Sequence, residues 1–225
     1  MGKRIIISLT VAVFLYISLP LVLDFTPAQK LPEVSEKYAR DGIEEVGAQN
    51  LVTAVIVTYR GLDTLGEIAV LFIATAGIGF ILSHENATKG QKRESSRILQ
   101  TGVRVLLPLI LMFGVYIFIN GHLTPGGGFQ GGVVIATGIL AFILVNPEGK
   151  IHDLILQLLE SISGFGYVFL GLLGLFLASG FLDNSILPLG KAGQLFSAGA
   201  IPIIYSLIGL KVGSELVNIL KYLKQ

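Results

Sequence analysis

The sequence predicts an all-α, polytopic membrane protein of about six transmembrane helices, with the N- and C-termini cytoplasmic. Three observations carry that expectation. Hydrophobic residues make up 52% of the 225-residue chain and charged residues 14%, with a mean hydropathy of +0.77, whereas soluble domains are roughly half apolar and a quarter charged. Six apolar stretches approach the ~20 residues that an α-helix needs to cross ~30 Å of hydrocarbon. Lysine and arginine are concentrated in alternate loops, which fixes a direction for the termini.

The expected spans are Ile5–Leu23, Leu65–Leu82, Val105–Asn120, Gly131–Val145, about Leu158–Phe181, and Phe196–Ile219. The first follows Lys3-Arg4, as a secretory signal would, but its apolar run is long and FTPAQK is a poor small-residue cleavage site, so it is read as a retained span. The third and fourth are short, which suggests that their flanks near residues 121–130 dip to membrane depth. On the cytoplasmic assignment, the inner segments hold basic residues such as Lys89, Lys92, Arg93, Arg97, Arg104 and Lys150, while the outer segment 24–63 is rich in Asp and Glu. Within that outer segment LVTAVIVTY, residues 51–59, is too short to span; it reads either as an interfacial helix or as half of a broken one. The basic stretch 83–104 is the one break in composition and divides the chain into a two-span unit, 1–88, carrying RGLDTLGE, and a four-span unit, 89–225.

Composition also excludes classes of function. With no cysteine, thiolate chemistry is absent, and three histidines scattered at 84, 122 and 152 are too few for a zinc site, so no metal centre is expected. A net charge of +1 supplies no basic face for nucleic acid.

Residues 121–132, GHLTPGGGFQGG, contain the dinucleotide spacing G-x-G-x-x-G at Gly126, Gly128 and Gly131. That fingerprint needs a strand before it and an acidic residue about 20 positions later. Here a membrane span precedes it and another follows. Pro125 with Gly126, Gly127 and Gly128 instead gives a turn with backbone freedom. Gly128, Gly132 and Ala136 repeat at the small-xxx-small spacing of close helix contacts. A second reading places His122, Thr124, Gln130 and the loop backbone on a water-filled pocket, where their oxygens would suit a hard cation.

On these residues the chain resembles a known family. GHLTPGGGFQGGVV, together with GLKVGSEL at 209–216, is similar to the MnhB-type subunit of Mrp sodium/proton antiporters, over roughly residues 95–222. TAVIVTYRGLDTLGEIAVLF at 53–72 resembles the end of the large antiporter subunit and the small companion subunit of membrane-bound hydrogenase and sulfane-sulfur reductase complexes. The chain therefore looks like two neighbouring subunits fused. The resemblance implies a non-catalytic subunit of a multisubunit antiporter module in the cell membrane. It would bind no cofactor, would have Na+ and H+ as the transported ions, and would have other membrane subunits as partners.

Ionisable residues inside spans are costly and are the natural site candidates. Thr64-x-x-Glu67 reads as a capping box for a helix starting at Leu65. Alternatively Glu67, with Asp63 a turn earlier and Arg60 nearby, forms a charged path on the outer side, Asp63 staying ionised and a buried Glu67 able to hold a proton. Lys211 and Glu215, four apart on the last helix, share a face and can pair; a snorkelling lysine with an interfacial glutamate is the plainer alternative. His122 is either a solvated or carbonyl-bonded loop histidine or a proton relay. Asp183, Asn184 and Lys191 read as surface loop residues. The functions left open are an antiporter subunit in a respiratory complex, a subunit of a free-standing antiporter, a self-contained carrier or channel for a small solute, and a structural spacer without ion contact.

Overall fold

The computed structural model describes residues 2–23, 30–82, 95–146, 149 and 151–224. His84, Lys89, Lys92, Arg93 and Lys150, and with them the expected division at 88/89, lie outside the described residues. Among the described residues there is no β-strand. In chain order the helices are α1 (Gly2–Leu23), α2 (Glu33–Val46), a single turn α3 (Leu51–Thr53) running into a π-helix (Ala54–Tyr59), α4 (Gly61–Leu82), α5 (Arg97–Ile119), α6 (Gly128–Val145), α7 (Asp153–Leu177), a 3-10 turn (Asn184–Ile186) and α8 (Ile201–Lys224). Six of these, α1 and α4 to α8, are long and apolar enough to cross a membrane.

The chain divides into two compact units, Met1–Glu36 and Lys37–Gln225. In the first, α1 is apolar along its length, and Thr10 returns its hydroxyl to the carbonyl of Ile6 at 2.9 Å, which satisfies a hydroxyl that would otherwise face hydrocarbon unpaired. α2 begins in this unit with Glu33 and Glu36 in its first turn, where carboxylates complement the helix dipole.

The second unit is a bundle around α8. Helices α4, α5, α6 and α7 each pack on α8, whose Ile201, Ile204, Ile208, Val212 and Val217 are at most 1% exposed. Without a hydrophobic drive between helices in lipid, close approach of backbones supplies much of the contact energy. The glycines of α6 provide it on two faces. A Cβ on Gly132 would lie 2.8 Å from the carbonyl of Gly209 and 2.9 Å from Val212 Cβ on α8, and one on Gly131 would lie 2.6 Å from the carbonyl of Gly114 on α5. The small-xxx-small spacing at 128 and 132 is therefore the α6–α8 seam.

Several element boundaries differ from the sequence expectation. α5 starts at Arg97 and spans 23 residues rather than being a short span, because the Ser96 side chain caps it by accepting from Leu99 N at 3.3 Å. α7 ends at Leu177, four residues before Phe181. α8 begins at Ile201, so Phe196 lies outside it and 88% exposed. α4 begins at Gly61, which places Thr64 inside the helix. Its hydroxyl donates to the carbonyl of Ile56 at 2.8 Å, so the capping box of Thr64 and Glu67 is not formed. Residues 51–59 are helical and interrupted from α4 at Arg60 (φ −121, ψ 32), with Ala54 and Val57 fully buried in the core. The break at Arg60 agrees with the broken-helix reading. The Arg60 amide donates back five residues to Val55 at 2.8 Å.

The segments 47–60, 120–127 and 178–200 meet at one end of this unit. Asn184, expected at the surface, is 2% exposed; its amide donates to the carbonyls of Val46 at 2.8 Å and Ala198 at 3.1 Å. Leu182 (φ 60) and Ala198 (φ 63) hold left-handed backbone while fully buried, conformations that non-glycine residues adopt only when packing fixes them.

Candidate functional site

Near the middle of α8, Lys211 is 8% exposed. Its Nζ lies 2.5 Å from Glu215 Oε1 one turn on, 3.6 Å from Glu160 Oε1 on α7, and 4.8 Å from the centre of the Phe72 ring on α4. The lysine is therefore inside the bundle, pairing across helices, and does not snorkel. Glu215 is fully buried, and its Oε2 has no hydrogen-bond partner among the described residues. Glu160 Oε2 accepts from Asn218 Nδ2 at 3.0 Å. The approach is possible because α7 offers Gly164, where a Cβ would come within 3.3 Å of Lys211 Cε. Toward the C-terminal end of the same helix, Lys221 pairs with Asp153.

Glu160 and Asn218 are functional candidates that local sequence pattern does not single out. Glu160 lies within the expected fifth span, and an ionisable group at that place was the available signal. Nothing in the sequence ties it to Lys211, since that contact exists only because α7 and α8 pack together.

The glycine loop forms a second polar centre. Asn50 donates from its side chain to the carbonyls of Gly121 at 2.9 Å and Thr124 at 3.0 Å, accepts from Val52 N and Thr53 N as the cap of α3, and its amide donates to the carbonyl of His122 at 3.0 Å. Thr53 Oγ1 donates to the carbonyl of Gly121 at 2.6 Å and receives the hydroxyl of Tyr205 on α8. Thr124 returns its own hydroxyl to Asn120 at 3.3 Å. The carbonyls of Gly121 and Thr124 are thus occupied by protein donors. Gln130 is exposed. Gly126 and Gly127 pack tightly, against Ile117 and Tyr205, with Gly127 at φ +156, and Gly128 opens α6 against Ile208. The geometry is that of a tight hairpin feeding a closely packed helix.

His122 is buried rather than solvated, and its ring lies against the backbone of Gln194, Leu195 and Ile119. It is fully buried, and neither ring nitrogen has a hydrogen-bond partner among the described residues. Burial pushes its pKa below the ordinary 6.5, and the nearby backbone of Gln194, Leu195 and Ile119 offsets this only in part. The neutral form of the ring is accordingly favoured.

Asp63 and Glu67 stand apart from both centres. Asp63 is paired with Arg60 at 2.6 Å, both more than half exposed. Glu67 is exposed on α4 rather than buried. At the loop end, a cavity of about 280 Å³ is bordered by Glu45, Thr58, Tyr59, Asp183 and Asn184. Burial works against the Asp183 carboxylate, but hydrogen bonds from Ser185 and Ser179 outweigh it and hold the group below the usual carboxylate range.

The family model for a domain related to the MnhB subunit of Na+/H+ antiporter matches residues 98–218, more than half of the chain. This chain belongs to the MnhB-related family. That region contains the glycine loop, Glu160, Lys211 and Glu215. A second model, for the E subunit of MBH, matches residues 4–87, so the resemblance drawn from 53–72 also holds. An uncharacterized protein of Methanocaldococcus jannaschii is 30% identical over 210 residues, which cover 80% of this chain and 78% of that one. The B subunit of a Na+/H+ antiporter of Bacillus subtilis is 32% identical over 65 residues, 29% of this chain and 46% of that one. Among solved structures, a chain of the membrane-bound sulfane sulfur reductase, an archaeal respiratory membrane complex, is 42% identical with a TM-score of 0.83, covering 99% of this chain and 98% of that chain. The likeness to that chain runs over nearly the whole of this one. Six apolar helices and this kinship make the chain a multi-pass membrane protein of the antiporter-module type.

Proposed function

We propose that this chain is a non-catalytic integral subunit of an Mrp-type sodium/proton antiporter module within a respiratory complex of the hydrogenase or sulfane-sulfur reductase kind, and that it contributes polar groups to the ion path. The observation that carries this is the Lys211–Glu215–Glu160 cluster, buried near the middle of α8 inside the MnhB-related region, where ionisable groups mark ion or proton routes. The end-to-end likeness to a chain of the sulfane sulfur reductase favours a respiratory complex over a free-standing antiporter. On this reading residues 1–88 and 89–225 are two subunit-like parts joined, as the separate family matches over 4–87 and 98–218 support.

The membrane is the cell membrane with both termini cytoplasmic, as the basic inner segments favour, and Na+ and H+ are the ions moved. Glu67 and Asp63 line a charged approach on the outer side. They face away from this chain's core, so the neighbouring subunits complete that route. Lys211 and Glu215 form the inner part, and His122, Thr124, Gln130 and the Gly126–Gly128 backbone shape the loop above them. Redox centres, where the complex has them, belong to partner subunits.

The test is sodium/proton exchange by the purified parent complex in vesicles. Lys211→Met and Glu215→Gln are each expected to lower exchange more than tenfold while the complex stays assembled. Unchanged exchange with both variants would leave the chain a structural spacer.

A further inference from the structure

We propose that Glu160, Lys211 and Glu215 form a proton-binding site that holds one exchangeable proton on its two carboxyl groups. The inference rests on the reading that α7 and α8 lie in the membrane within an ion path, and it adds what that part of the path carries.

Inside a helix bundle in lipid, charge must balance. Two carboxylates face one ammonium: Nζ of Lys211 is 2.5 Å from Glu215 and 3.6 Å from Glu160. With all three ionised the cluster has one negative charge in excess. Among the described residues the other groups that touch it supply no cation, for Asn218 gives a neutral amide to Glu160 and Phe72 a ring to Lys211. Nor do the elements packed on α8. α6 carries no titratable residue. α5 carries Arg97, Arg104 and Tyr116, all exposed, and neither arginine pairs with the cluster among the described residues. α4 carries Asp63, which is paired with Arg60, and the exposed Glu67. On α7, Asp153 is taken by Lys221 and the Tyr167 hydroxyl by the carbonyl of Gly61; on α8, the Tyr205 hydroxyl is taken by Thr53. Tyr222 lies against Gly79 of α4.

A second, independent feature favours Glu215 as a place for the proton. Glu215 is fully buried, and its Oε2 has no donor among the described residues, although Oε1 rests on the lysine. A buried carboxylate with one oxygen lacking any donor is disfavoured as an anion even when the other oxygen meets a cation, whereas a carboxylic acid there is neutral. Glu160, its side chain 18% exposed, is the group through which a proton enters. Uptake turns one carboxylate into a carboxylic acid and takes the cluster from net −1 to neutral; release reverses it. Lys211, given room by Gly164, stays between the two carboxyls and pairs with whichever is ionised.

Infrared difference spectroscopy of the purified parent complex, titrated from mildly acidic to alkaline pH, reads this directly as the carbonyl absorption of a protonated, weakly hydrogen-bonded carboxyl. The wild-type complex is expected to lose one such carboxyl as pH rises and to regain it on return. Glu215→Gln and Glu160→Gln should each abolish that change, because the remaining carboxylate is balanced by Lys211. Lys211→Met should retain the protonated form to higher pH. If the wild-type and Glu215→Gln complexes titrate identically, or if the band survives in both glutamine variants, the proposal is overturned. Subunit composition of each purified variant establishes assembly, and the partly exposed Glu160 keeps the test open should Glu215→Gln fail to assemble. A complex that titrates the band yet exchanges sodium and protons normally without Lys211 would uphold the site and remove it from the transport route.

Discussion

The hydroxyl of Tyr205 on α8 donates to Thr53 Oγ1 at 3.0 Å across 152 residues of sequence, and the Thr53 hydroxyl donates in turn to the carbonyl of Gly121 at 2.6 Å. Three segments far apart in the chain are thereby joined in a fully satisfied, buried polar chain. Removing its end should cost less than removing its middle. Tyr205→Phe forfeits one hydrogen bond, about 1 kcal/mol. Thr53→Val strands the tyrosine hydroxyl, worth roughly 1–3 kcal/mol when buried and unpaired, and also removes one of the two donors to the Gly121 carbonyl, which keeps Asn50. Thermal unfolding of the purified complex should rank them in that order, and the double variant should fall short of the sum because the residues share one network.

The α6–α8 seam depends on missing side chains. Gly132→Leu has to displace the Gly209 backbone and Val212, and overpacking of this kind typically costs about 1–3 kcal/mol or more. Gly102→Ala, where nothing lies within 4 Å of the new methyl, is expected to be neutral or to stabilise by about 0.5–1 kcal/mol through helix propensity. Comparing melting midpoints of the two variants checks the contrast.

Much of this architecture is legible in the residues. Hydrocarbon sets the length of a crossing helix, so the six spans show in composition alone, and the four-residue interval of Lys211 and Glu215 places them together on any helix. What the residues conceal depends on neighbours. Glu160 joins the cluster only through the packing of α7 on α8, and the burial of His122 depends on the fold of the 178–200 loop over it. Thr64 reads as a cap because Leu65 begins the apolar run, yet the backbone is already helical at Gly61, where the preceding π-helix delivers the chain. Local polarity misplaces such ends by several residues because helices continue wherever their backbone groups remain paired.

Asn50 both caps α3 and fastens the glycine loop, and the two roles can be separated. Asn50→Asp keeps the acceptor for Val52 and Thr53 but removes the donor to Gly121 and Thr124. Asn50→Ala removes both. Hydrogen exchange of residues 119–127 should rise in both variants, and exchange at 52–53 should rise in Asn50→Ala alone, with a total cost for Ala of about 2–4 kcal/mol.

His122 makes the loop end sensitive to acid. Its native pKa lies below 6.5, so well above pH 6.5 both folded and unfolded forms are neutral and stability is intact. As pH falls from there toward the native pKa, the unfolded chain takes up a proton that the buried ring refuses, and stability declines. The melting midpoint of the wild-type complex should therefore drop between about pH 7 and pH 5.5 more than that of His122→Gln, which has nothing to titrate in this range. Equal pH dependence would place the acid sensitivity elsewhere.

The bundle is organised on α8, to which the helices before it converge. Helices α4, α5, α6 and α7 all emerge from the ribosome before the one element they have in common. Until α8 is made and inserted, Gly132 has no seam to close and Glu160 no lysine to meet. Assembly of this bundle therefore waits on the synthesis of α8, and a chain cut short before Ile201 would leave four membrane helices without the hub they share.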